Sequence, residues 1–164
     1  MRIYLIGYMY SGKTTVGHKL AVSLGYQWLD LDQLFETFYH TSIPIFFKRY
    51  GEEAFRKLEQ KLLHSTADND NTVVSTGGGT PCYGDNMDFI LAHGTAVYLQ
   101  MPVDALVERA LRSRNPRPLM HGLPEPEMRA LIERQLKERE PIYLRAPLIV
   151  DGINPVWVIK EDID

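Results

Sequence analysis

Residues 4–17 read YLIGYMYSGKTTVG, and the segment from Gly7 to Thr14 within them fits G-x-x-x-x-G-K-[ST]. That pattern cradles phosphate when a strand precedes it and a helix follows. Ile3, Tyr4, Leu5 and Ile6 form a short, wholly apolar, β-prone run, as expected of a strand buried on both faces of a parallel sheet. After Thr14, the residues Val16, Leu20, Ala21 and Leu24 recur at helical spacing up to Gly25, a natural C-terminal stop. In such a loop successive N–H groups converge on one anion, and the helix N-terminus adds partial positive charge. Lys13 is then placed to reach the terminal phosphates of a nucleotide, and the Thr14 hydroxyl to ligate its magnesium ion.

A length of 164 residues is one domain's worth, and 45% hydrophobic with 24% charged residues is ordinary for a globular protein. No apolar run approaches the roughly 20 residues of a membrane span, and the first run is too short for a signal peptide. Cys82 is the single cysteine, so no intrachain disulfide forms and a reducing cytoplasm is the expected setting. The five histidines show no zinc-type spacing. A net charge of −3 and a pI near 6.0 argue against nucleic acid as a general partner. Positive charge is local instead: Arg109, Arg112, Arg114 and Arg117 fall close together around prolines, which reads as an arginine-rich mobile loop.

Along the chain, YQWLDLD gives a second strand ending at Asp30 and Asp32. Sites in open α/β sheets form at the carboxyl ends of strands, which sets this pair beside the phosphate loop. Helices are expected over Gln33–Tyr39, Ile43–Arg49 and Glu52 to about Ala67, the last with Ala54, Phe55, Leu58, Leu62 and Leu63 on one stripe. TVVSTGGGTP, TAVYLQMP and PLIVDG supply three more strands. Strands alternating with helices make a parallel α/β sheet.

Six pieces occur in order: GYMYSGKTT, DLD at 30–32, FRKLE at 55–59, STGGGTP at 75–81, RPLM at 117–120 and REPIY at 139–143. Together they resemble the shikimate kinase family, from Arg2 to about Pro155, and the set is far more specific than any one motif. The resemblance implies transfer of the γ-phosphoryl of ATP to the 3-hydroxyl of shikimate, with Mg²⁺, on the route to aromatic amino acids. It implies a three-layer α/β fold with a five-stranded parallel sheet in the order 2-3-1-4-5, an acceptor-binding segment over about 31–62 and a lid over about 112–124. A cytoplasmic monomer with no nucleic-acid or membrane partner is the matching expectation.

By the same resemblance Tyr10, Ser11, Gly12, Lys13, Thr14 and Thr15 bind the nucleotide, joined by Arg117 from the lid. Thr14 and Asp30 attend the metal, Asp30 through a water. Lys13, Asp32 and Arg117 form the reaction centre, Asp32 accepting or orienting the proton of the reacting hydroxyl. Arg56, Arg139 and the backbone of Gly77, Gly78 and Gly79 hold the acceptor. A guanidinium fork suits its planar carboxylate, and glycine lets backbone approach its ring. Each residue also has a structural reading. Arg56 can pair with Glu52 at i, i+4, Arg139 can complement a helix end, the glycines can form a tight turn, and one aspartate can cap the next helix.

Two departures stand out. Tyr10 occupies a position where the family usually has glycine; a positive φ there carries strain of about 1–3 kcal/mol, or the ring points outward beside the acceptor pocket. The ending VWVIKEDID stops short of the family's long last helix and reads as a solvated acidic tail, which puts the adenine contacts of DGINP at 151–155 in doubt. A gluconate kinase of the same fold and a nucleotide-binding protein without transfer activity are the competing accounts.

Overall fold

The computed structural model describes residues 1–113, 120, 122–153 and 155–163, with the backbone alone for 155–158. Arg114, Arg117 and most of RPLM therefore lie outside the described residues. Five strands, β1 (Arg2–Ile6), β2 (Gln27–Asp30), β3 (Thr72–Ser75), β4 (Thr95–Gln100) and β5 (Leu148–Asp151), form one parallel sheet in the order β2-β3-β1-β4-β5. This is the expected order.

The pleat decides which residues face which layer. Ile3 and Leu5 of β1 pack with Val73, Val97, Leu99 and Val150 beneath α1 (Lys13–Leu24), where Val16, Leu20 and Ala21 are buried. Tyr4 and Ile6 face the opposite layer, built by α4 (Glu52–Ser65), α5 (Asn86–His93), α6 (Val103–Arg112) and α7 (Glu125–Tyr143). Register aligns the strand ends: Ser75 pairs with Leu5 on one side and with Asp30 on the other, so β1, β2 and β3 deliver their carboxyl ends to one edge.

Between β2 and β3 lie α2 (Leu31–Tyr39), α3 (Ile43–Tyr50) and α4, joined by their own aromatic cluster. The Phe35 ring meets Phe46 at 5.2 Å and Phe55 at 4.9 Å between centroids, both edge to face. α2 begins at Leu31, two residues before the expected Gln33, because Asp30 caps it.

Two expectations are corrected. Arg109 and Arg112 sit on α6, not in a loop, because Leu106, Val107 and Ala110 bury one stripe of that helix. The acidic ending is helix α8 (Pro155–Ile163), not a solvated tail. Its Ile159 is fully buried against the α1 layer while Glu161 and Asp162 stay exposed, and the Lys160 ammonium donates to the Ser23 carbonyl at 3.4 Å. The four-residue spacing of Ile159 and Ile163 is the apolar stripe that the acidic composition obscures.

Candidate active site

The loop after β1 closes around its own lysine. Lys13 is buried, and its Nζ donates to the carbonyls of Gly7 at 2.7 Å and Tyr8 at 2.9 Å, with Ser11 Oγ at 3.5 Å. Gly12, at φ 95°, turns the chain into α1, and a Cβ on Gly7 would stand 2.9 Å from the Leu99 carbonyl. Tyr10 has φ 70°, the strained one of the two readings open at this position. Its ring packs against the core and its carbonyl accepts from Arg109 Nη1 at 3.1 Å. α6 thus braces the loop where its backbone is least relaxed.

The two aspartates divide their tasks. Asp30 Oδ1 accepts from the Gln33 amide at 3.1 Å, capping α2, and Asp30 Oδ2 accepts from Thr14 Oγ1 at 2.7 Å. Asp30, and not Asp32, is therefore the cap. Asp32 lies in the first turn of α2, close enough that a Cβ on Gly77 would come within 3.3 Å of its Oδ1.

Beyond Asp32 lie the cations. Arg56 Nη1 donates to Glu59 Oε1 at 2.9 Å, Arg56 Nε is 3.5 Å from Glu52, and the guanidinium rests over the Phe55 ring at 5.2 Å. The surface pair with Glu52 exists, but the tighter partner is Glu59, only 3% exposed. Burial pushes the Glu59 carboxyl up, against the pull of Arg56 and the Thr80 hydroxyl. Burial works against the Arg56 charge too, but Glu59 and Glu52 outweigh it and hold the guanidinium above its ordinary value.

Arg139 approaches from α7, over the Tyr8 ring at 5.7 Å. Its Nη1 is buried without a hydrogen-bond partner among the described residues. A buried guanidinium donor left open beside a cavity is what an anion would satisfy. The three glycines run between these groups. A Cβ would stand 2.4 Å from Arg56 Nη2 at Gly79, and 3.0 Å from the Met9 amide and 3.4 Å from Arg139 Nη1 at Gly78. The Gly78 carbonyl accepts from the Tyr143 hydroxyl, so the P-x-Y tyrosine fixes the triplet.

Two cavities result. One of about 760 Å³ runs along the phosphate loop past Lys13, Thr14, Asp30, Arg109 and Arg112. The other, about 270 Å³, lies among Phe55, Arg56, Glu59, Gly79, Gln135 and Arg139. Asp32, Met9, Gly77 and Gly78 line both, so a carboxylate stands where an anion-binding loop meets a cation-lined pocket.

The family model for shikimate kinase matches residues 9–155. The chain belongs to the shikimate kinase family. It is 43% identical over 151 residues to a shikimate kinase of Parabacteroides distasonis, a match covering 92% of this chain and 87% of that protein. The crystal structure of shikimate kinase from Bacteroides thetaiotaomicron superposes with a TM-score of 0.90 at 36% identity, covering 99% of this chain and 94% of that one. That of the Acinetobacter baumannii shikimate kinase in complex with shikimate gives 0.86 at 34% identity, covering 99% and 89%. A gluconokinase from Sinorhizobium meliloti, at 17% identity and a TM-score of 0.58, shares the fold alone.

The site residues expected from the family motifs line these two cavities, except Ser11, which is buried with its hydroxyl 3.5 Å from Lys13 Nζ, and Arg117, which lies outside the described residues. Sequence reasoning passed over Glu59, Tyr8 and Gln135. Glu59 follows Arg56 by three positions inside FRKLE, a spacing that signals a pair, but a helix stripe gives no hint that the pair is buried. Tyr8 and Gln135 meet across 127 residues of chain, and no local pattern reports that.

Proposed function

We propose that the protein transfers the γ-phosphoryl of ATP to the 3-hydroxyl of shikimate, giving shikimate 3-phosphate and ADP. The observation that carries this reading is Asp32 in the wall common to both cavities. It puts a proton acceptor between the place for a triphosphate and the place for a carboxylic acid bearing hydroxyls. Family membership supports the choice of acid.

Nucleotide phosphates take the loop from Tyr10 to Thr15, where Lys13 exchanges its bonds to the Gly7 and Tyr8 carbonyls for β- and γ-oxygens. Thr14 fits a metal-ligand role, because its hydroxyl proton is committed to Asp30 and its oxygen lone pairs stay available. The Thr14 oxygen, and Asp30 through a water, would hold a Mg²⁺ ion, which would supply charge neutralisation for the nucleotide phosphates.

Arg139 and Arg56 grip the acceptor's carboxylate, Glu59 keeping Arg56 in place. Gly77, Gly78 and Gly79 let the ring come close to backbone. Asp32 accepts or orients the proton of the reacting hydroxyl as its oxygen attacks the γ-phosphorus and the bond to the β–γ bridging oxygen breaks. In a loose transition state that positioning outweighs basicity. Arg117 joins from the lid segment about 112–124 to meet the developing charge, and the segment about 31–62 carries the acceptor side. Family resemblance supports a monomer working in the cytoplasm. No helix among the described residues is long and apolar enough to cross a membrane.

ADP release by the purified protein tests the reading. Turnover that depends on shikimate and is absent with gluconate is expected, and Asp32→Asn should lose about 10²–10⁴ in kcat with nucleotide affinity retained. Gluconate turnover without shikimate turnover, or neither, overturns the proposal.

A further inference from the structure

Tyr8 touches three parts of the site. Its carbonyl accepts from Lys13 Nζ at 2.9 Å, its ring lies under the Arg139 guanidinium, and its hydroxyl donates to Gln135 Oε1 at 2.6 Å. Gln135 stands on α7 one helical turn before Arg139, so the two side chains leave the same face toward the smaller cavity, which both line. Met128 and Ile132, further back on α7, bury into the core, whereas Gln135 puts an amide at the cavity.

We infer that Gln135 is a further acceptor-binding residue, its amide oxygen held by the Tyr8 hydroxyl so that its N–H groups donate to an oxygen of the bound acid beside Arg139. The alternative is that Gln135 merely satisfies a buried phenol. That task uses only the amide oxygen, and the Tyr8 bond is its sole hydrogen bond among the described residues, leaving two N–H donors beside the cavity. In the proposed binding mode the two guanidinium groups take the carboxylate and Asp32 takes the reacting hydroxyl, which leaves the other ring hydroxyls to further partners. Burial pushes the Tyr8 hydroxyl up to about 12, against the pull of Arg139, so it remains a donor and the amide keeps this orientation through the physiological range.

The inference rests on the proposed acceptor, and the test separates the two. Shikimate affinity is measured by titration calorimetry, and KM and kcat by ADP release, for the parent protein and for Gln135→Leu, Gln135→Glu and Tyr8→Phe. The expected result is a rise in shikimate KM and Kd of about tenfold or more in Gln135→Leu and a larger one in Gln135→Glu, which sets a carboxylate against the acid. Tyr8→Phe, which keeps the ring under Arg139, gives a smaller rise in the same direction. ATP KM and kcat should stay within about threefold of the parent in all three. Melting temperatures identify any variant that fails to fold, and Gln135→Glu alone then decides. Shikimate constants within twofold of the parent in the folded Gln135 variants overturn the inference while leaving the proposed function standing. A parent protein that neither binds nor phosphorylates shikimate overturns both.

Discussion

Thr14 Oγ1 and Asp30 Oδ2 lie 2.7 Å apart, tying the first turn of the helix behind the phosphate loop to the end of the strand that opens the acceptor side. The other oxygen of Asp30 caps α2. Asp30→Ala should therefore lose about 1 kcal/mol of stability in denaturant titration through the cap alone. Asp30→Asn retains a cap oxygen and should fold nearly as well, yet need more Mg²⁺ for half-maximal turnover. Equal Mg²⁺ requirements in Asp30→Asn and the parent would remove Asp30 from the metal site.

Arg139 sets binding against stability. Its buried Nη1 has no partner among the described residues, a state that costs about 1–3 kcal/mol. Arg139→Met should raise the shikimate KM by about ten- to a hundredfold, as expected for loss of a hydrogen bond to a charged group. The same variant should unfold at equal or higher denaturant concentration than the parent. A clear loss of stability in Arg139→Met would mean that the guanidinium is already satisfied in the empty protein.

Gly79 has φ −94°, a conformation open to any residue, so Gly79→Ala strains no backbone. The added methyl would instead stand 2.4 Å from Arg56 Nη2, and Glu59 keeps that guanidinium from swinging aside freely. Shikimate KM should rise at least tenfold, as expected for losing a charged hydrogen bond, with ATP KM unchanged. An unchanged shikimate KM would show that Arg56 reaches the acid from another position.

Glu59 gives a pH signature. Burial raises its carboxyl above the ordinary 4.5, so the protonated form is the one the fold prefers. Its contribution to stability is complete below the unfolded value and is lost as pH rises through the folded one. The stability of the parent relative to Glu59→Gln should therefore fall as pH rises above the ordinary carboxylate range, read from paired denaturation curves. A difference that grows with pH would show the Arg56 attraction outweighing burial.

The phosphate loop was legible because its chemistry needs adjacent residues: Gly12, Lys13 and Thr14 must follow one another for amides, ammonium and hydroxyl to converge. Strand and helix order followed from apolar runs and their spacing, while the 2-3-1-4-5 sheet and the division of Asp32, Arg56 and Arg139 came from the family motifs taken together. Tertiary packing hid the rest. Arg109 and Arg112 looked like a loop because prolines follow them, although Leu106 and Ala110 anchor a helix. Asp30 and Asp32 could not be told apart as caps, since that depends on where α2 starts. The C-terminal helix was masked by its acidic residues, and burial of Ile159 decided it.

The wall common to the two cavities is made by Asp32, Met9 and two glycines without side chains. At the two glycines no side chain stands between neighbouring ligands. One molecule can therefore straddle both chambers, an anionic ring in the smaller joined by a short tether to a polyphosphate mimic in the larger. Such a bisubstrate inhibitor gains from the high effective concentration of its second half once the first is seated.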